Sequence, residues 1–206
     1  MDYEELLKYS KKFEEIEGRD IFYKLATKLI SKSDNMDDII DAMFIILLTW
    51  NQAYYRYKPF DRKHYEELAG TIKNNMDIFN ILKEKSLDDV NFDETENLIG
   101  KIYSKLLSIL GPTGASKALH LMNKNLFMMW DDRIRKGYKT GTDERSYIIF
   151  MKEMQSIANE VIDSICRKFN CPRDSAIERL LKLINQKTLP KLIDEYNYVK
   201  FTKKVL

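Results

Sequence analysis

Cys166 and Cys171 are the whole thiol content of this 206-residue chain. Two cysteines cannot build a disulfide framework, and an iron–sulfur cluster usually needs four thiolates. Glycine and proline are scarce, with 7 and 4 copies, which argues against loop-rich and all-β folds. His64 and His120 are the only histidines, so no metal site of the zinc type can be argued from histidines. No apolar run approaches the ~20 residues that cross a bilayer. The most apolar stretch, Ile39–Trp50, is interrupted by Asp41 and reads as a buried central helix. The start, Met1-Asp2-Tyr3-Glu4-Glu5, lacks the basic-then-apolar layout of a signal peptide. These absences predict a cytoplasmic protein with no membrane partner. Net charge is only +2, so the placement of charge, not its sum, must speak for or against nucleic acid.

What is present is helical periodicity. Apolar residues make up 44% of the chain and charged residues 32%, enough for a core and a solvated surface. Leu6, Leu7, Phe13 and Ile16 form one stripe at helical spacing. Ile21, Phe22, Leu25, Ala26, Leu29 and Ile30 form a second. Asp61 is placed to cap a helix over 62–73 and Asn75 one over 77–83, with Ser86 or Asp93 opening the next. The stripe from Leu98 to Leu110 then stops at Gly111-Pro112-Thr113-Gly114, the sharpest break in the chain. A helix over 115–122 follows, then one capped by Asp131 or Asp132 and running through Tyr138. The longest helix is expected over 143–169, with further helices over 174–186 and 190–199. No repeat or linker divides the chain. The fold class is therefore all-α, one helical domain over 1–206, compact or split into two lobes by a cleft.

The break at 111–114 carries the chemistry. A tight glycine-containing turn before a helix of small residues exposes backbone N–H groups, which with the helix dipole bind phosphate without sequence preference. Gly114 and Ala115 would admit a DNA backbone, and Lys117 would add charge. The plain structural alternative is an ordinary corner between two helices.

The segment Leu110-Gly111-Pro112-Thr113-Gly114-Ala115-Ser116-Lys117-Ala118 resembles the hairpin of the helix-hairpin-helix DNA glycosylases, approximately Leu-Pro-Gly-Val-Gly-x-(Lys or Ser)-x-Ala. It matches at Leu110, Gly114 and Ala118, with glycine and proline exchanged. Trp130-Asp131-Asp132-Arg133-Ile134 resembles the family's downstream pattern of hydrophobic residue, aspartate, two variable residues and an aliphatic one. Ile45-Ile46-Leu47-Leu48-Thr49-Trp50-Asn51-Gln52 is similar to the helix that ends beside the family's base pocket. The likeness spans roughly residues 36–140, with the hairpin motif at about 98–138.

The resemblance implies a DNA repair N-glycosylase that flips a damaged or mismatched base into a pocket. Asp131 would stabilise the cationic sugar, and capping a helix is its structural alternative. The nucleophile stays open. The ungapped match puts Ser116 at the family's nucleophile position, which implies water and a monofunctional enzyme. A shift of one residue puts Lys117 there, which implies a Schiff base and strand-nicking lyase activity; otherwise Lys117 is a surface phosphate contact. The family also implies a monovalent cation on the hairpin carbonyls, with no other cofactor, and a monomer acting on double-stranded DNA.

Two residue clusters bear on binding. Trp50, Asn51, Gln52, Tyr54, Tyr55 and Arg56 combine aromatic faces that stack bases with amides that bond their edges, or else form a helix end packed in the core. From Gly111 to Tyr138 the bases are Lys117, Lys124, Arg133, Arg135 and Lys136, against only Asp131 and Asp132. Gly111, Gly114, Ala115, Ser116, Lys117, Arg133 and Arg135 are thus the candidate DNA contacts. Rival readings are a non-catalytic DNA- or RNA-binding module and a helical protein-interaction domain.

Overall fold

Helix starts are written into this chain as side-chain caps. In the computed structural model, which describes residues 1–33, 35–183 and 187–206, Asp2, Asn35, Asp61, Asn91, Asp131, Asp143 and Thr188 each accept a backbone N–H of the first turn that follows. The helices are α1 (Tyr3–Ile16), α2 (Asp20–Ile30), α3 (Met36–Trp50), α4 (Gln52–Tyr55), α5 (Arg62–Lys73), α6 (Met76–Leu82), α7 (Phe92–Met122), α8 (Asp132–Gly137), α9 (Glu144–Phe169), α10 (Arg173–Leu183) and α11 (Leu189–Asn197). A π-helical turn, Tyr198–Lys203, continues α11. The described residues contain no strand, and no described helix is long and apolar enough to cross a membrane.

Several boundaries differ from the expectation. Asn91 opens α7, not Ser86 or Asp93. α6 begins at Met76 with no side-chain cap from Asn75. The expected end of α10 at Gln186 lies outside the described residues. The largest difference is at 111–114. The helix breaks at Gly111 alone, in the left-handed region (φ 68°), and Pro112 restarts it. Proline suits a first helical position, where its missing N–H is not needed, so Thr113 and Gly114 are helical rather than loop.

One cluster of buried side chains runs from Tyr3 on α1 to Tyr196 on α11. α3 is buried along Ile40, Met43, Ile46 and Leu47, as its apolar run predicts. α1 lies against α11, and α7 against α9, α3 and α5. The two ends of the chain therefore meet beside the second half of α7, and the candidate site lies at that junction.

Candidate active site

The hinge at Gly111 is held from outside α7. A helix end leaves carbonyls without partners, and here the α3–α4 corner supplies donors. Asn51 Nδ2 donates to the Leu110 carbonyl at 3.2 Å and Lys58 Nζ to that of Ile109 at 3.1 Å. The Tyr54 hydroxyl also donates to Ile109, and Trp130 Nε1 reaches the Pro112 carbonyl at 3.0 Å. A Cβ on Gly114 would stand 2.8 Å from Asn51 Nδ2 and 2.8 Å from Leu110 Cβ. Glycine at 114 therefore lets α3 close on the hinge. Gly114, Ala115 and Ser116 are buried, which corrects their expected role as an exposed cradle for a DNA phosphate. At the surface this hinge presents Gly111, Pro112 and Thr113. Of the hairpin carbonyls, that of Pro112 accepts Trp130 Nε1 and that of Thr113 the Ser116 hydroxyl.

One turn on, Ser116 and Lys117 diverge. The Ser116 hydroxyl donates to the Thr113 carbonyl at 3.0 Å and accepts the Trp130 N–H at 3.2 Å. It ties the second half of α7 to the segment before Asp131. Lys117 is 7% exposed, which corrects its reading as a surface phosphate contact. It lines a cavity of about 180 Å³ with Phe13, Glu17, Arg19, Trp50, Met129, Trp130, Asp131, Ile134, Asp194, Tyr198 and Thr202. At ~30 Å³ per water, that is room for about six waters or one aromatic heterocycle.

Asp131 caps a helix and also lines this cavity. Its Oδ1 accepts from the N–H groups of Arg133 and Ile134, each at 2.8 Å, which starts α8. Its Oδ2 accepts the Thr202 hydroxyl at 2.7 Å, while the carboxylate lines the cavity. Three donors thus fix its orientation. Asp132 points elsewhere, pairing with Arg135 and Lys136.

Burial dominates the electrostatics. It pushes the Lys117 ammonium down to about 8; Asp194 and Asp131 oppose the shift, Arg19 adds to it and Glu17 opposes it. The ammonium has one strong partner, the Trp50 carbonyl at 2.5 Å. Burial pushes Asp194 up to about 7 against the pull of Lys191 and Lys117. Burial would raise Glu17 too, but hydrogen bonds from Arg19 and Tyr198 hold it down at about 2.

No protein family, curated protein or solved structure matches this chain. The site therefore stands on its own geometry.

The expected base-pocket cluster divides. Trp50 lines the cavity, stacks on Tyr23 (centroids 5.8 Å apart) and donates through Nε1 to the Arg19 carbonyl. Asn51 and Tyr54 brace the hinge, Tyr55 bonds His64, and Gln52 and Arg56 are exposed. Arg135 is committed internally, to Asp132, to the Gly141 carbonyl and over the Trp130 ring. Arg133 is exposed and donates to the Thr202 carbonyl at 2.6 Å. His120 is buried between the Tyr23 hydroxyl and the Phe127 carbonyl and stays neutral.

Sequence reasoning missed the wall supplied by the two chain ends: Phe13, Glu17, Arg19, Asp194, Tyr198 and Thr202. One signal was available. α11 carries Lys191, Asp194 and Glu195 at i, i+3 and i+4, on a helix buried from Pro190 to Asn197. Charges at helical spacing within an apolar element call for a partner or a function.

Proposed function

We propose that the protein is a DNA N-glycosylase with associated lyase activity, in which Lys117 is the nucleophile and Asp131 stabilises the cationic sugar. The carrying observation is a buried lysine, held down at about 8, that shares one small cavity with a firmly oriented aspartate. An amine must be neutral to attack carbon, and desolvation of Lys117 supplies that form near neutral pH. Ser116 spends its hydroxyl on backbone groups, so lysine is the nucleophile this wall offers. The cavity takes one flipped base against Trp50 and Trp130. Lys117 Nζ forms a bond to C1′ while the glycosidic bond breaks and its electron pair leaves with the base. Loss of a proton from nitrogen and opening of the sugar then give an imine, from which the strand is cut by elimination. The Asp131 carboxylate lowers the energy of positive charge building on the sugar. Arg133, Lys136, Lys203 and Lys204 are exposed around α8 and the π-helical turn and form a phosphate footprint beside the cavity.

The experiment is borohydride trapping with duplexes carrying oxidised, deaminated, alkylated or abasic sites. The wild-type chain should give a covalent adduct with one of them, and Lys117→Ala should give none. Wild-type protein that binds these duplexes yet forms no adduct and releases no base overturns the enzyme reading and leaves a DNA-binding module.

A further inference from the structure

Asp194 is a buried carboxylate without a hydrogen-bond donor among the described residues. Its side chain is 10% exposed, and that opening faces the cavity shared with Lys117. The nearest ammonium, Lys191, is 3.9 Å away and is engaged more closely by Asp20 at 3.2 Å and Glu195 at 3.3 Å. The Asp194 oxygens are reached only from the cavity, and a largely buried carboxylate is costly unless water or a ligand there satisfies it. The other polar groups in contact with the cavity are already used. Glu17 holds Arg19 and Tyr198, and Asp131 holds α8 and Thr202. Asp194 alone of the three carboxylates is uncommitted.

We propose that Asp194 is the proton acceptor that unmasks the Lys117 amine and later returns that proton to the departing base. The proposal rests on the reading of Lys117 as nucleophile. The bookkeeping closes. Asp194 forms no direct ion pair with Lys117, so its carboxylate takes one proton from the Lys117 ammonium through one water in the shared cavity, and the free amine forms the Nζ–C1′ bond. The C1′–N bond breaks with its electron pair on the base nitrogen, and Asp194 gives that nitrogen the proton. The carboxylate is restored, and the positive charge stays on the adduct nitrogen. A second transfer to the same carboxylate allows the sugar to open to the imine. The two groups are matched for such an exchange, since burial brings the lysine down and the aspartate up until their affinities for a proton nearly coincide. The charged groups facing Asp194 are Lys191, Lys117, Glu195 and Asp131, and those facing Lys117 are Asp194, Asp131, Arg19 and Glu17.

Two measurements on the full chain test this. In the first, Lys117 is titrated without any DNA, by competitive labelling with acetic anhydride across pH and mass spectrometry of its peptide. Asp194→Asn removes a facing negative charge, so the Lys117 midpoint should move to lower pH by about one unit. A midpoint that does not move overturns the coupling. In the second, the single-turnover rate of adduct formation is followed against pH. Asp194→Asn should lose about 10²-fold at neutral pH, even though its lysine is more often neutral, and Asp194→Glu should recover much of that loss. An undiminished rate in Asp194→Asn overturns the proposal and leaves Asp194 as a background charge. If the Asn variant does not fold, as judged by its helical circular dichroism, Asp194→Ser takes its place with the same expectations. Wild-type protein that forms no adduct overturns the nucleophile reading, and with it the proton transfer. A Lys117 midpoint unmoved by Asp194→Asn, in a wild type that does form adducts, overturns the proton transfer alone.

Discussion

Lys117 and Lys191 are buried lysines on neighbouring helices, α7 and α11, and burial pushes both toward neutrality. The outcomes are opposite. Around Lys191 stand Asp20, Glu195 and Asp194, with the rings of Phe13, Tyr23 and Trp50 centred 4.1, 4.8 and 5.2 Å from its ammonium. Those carboxylates outweigh desolvation, and the group stays charged with a raised affinity for its proton. Lys117 has a carbonyl, the Trp50 ring at 5.7 Å and carboxylates that are shared or committed. Desolvation wins there, and its proton is loosely held. Compensated burial makes a structural lysine, whereas under-compensated burial makes a reactive one.

The sharpest break of this comparison is exchange of each lysine for an apolar residue of similar length. Lys117→Met should abolish borohydride adducts, a loss of orders of magnitude, while leaving urea-unfolding stability unchanged or raised, because a poorly compensated amine leaves the interior. Lys191→Met strands Asp20 and Glu195 in the core and should cost about 3–5 kcal/mol in the same unfolding experiment. Equal stability losses in the two variants would refute the distinction.

Asp131→Asn comes next. It keeps the Oδ1 acceptor that starts α8, so stability should fall by a few tenths of a kcal/mol only. Base release should slow by about 10²–10³-fold, the usual effect of removing one electrostatic stabiliser of a transition state. Retained base release would reduce Asp131 to a cap.

Gly114→Ala probes the hinge that aims Lys117. The added methyl meets Asn51 and Leu110 at 2.8 Å, and overpacking of this kind costs about 1–3 kcal/mol. Thermal unfolding measures it, and an unchanged midpoint would show that the hinge gives way freely.

The smallest effect is the dependence of stability on pH. Asp194, raised from 3.8 to about 7, binds protons more readily folded than unfolded, so its contribution to stability falls as pH rises through that window. Lys117, lowered from 10.5 to about 8, binds protons less readily folded, so its contribution rises between about pH 8 and 10.5. His120, held near 4 by burial, works against Asp194 below pH 6.5. The informative quantity is therefore wild type minus variant. Asp194→Asn should remove the lower slope and extend the upper one to lower pH, and Lys117→Met should remove the upper one. Variants that leave both slopes intact would detach these groups from the titration.

Much of the site's frame was legible in the chain. Asp131 as the start of α8, Asp143 as the start of α9 and the burial of α3 follow from capping and periodicity, which act within a turn or two. The position of the break near Gly111 was legible too, but its length was not. Glycine and proline together read as a loop, whereas left-handed Gly111 followed by Pro112 needs a single residue to turn the chain. Which of Ser116 and Lys117 lines the cavity was out of reach, because adjacent helical residues point about 100° apart and only neighbouring helices decide which direction is a cavity. Nor could spacing show that Asn51 and Tyr54 brace the hinge carbonyls rather than face a base.

The sequence by itself therefore determined an all-helical chain, most helix starts and the glycine at which α7 turns, because those depend on side chains and backbone within a few residues of one another. Tertiary structure decided which lysine holds its proton loosely. The proton affinity of Lys117 depends on the water removed from around it and on carboxylates brought in by α8 and α11, and charge acts through space rather than along the chain.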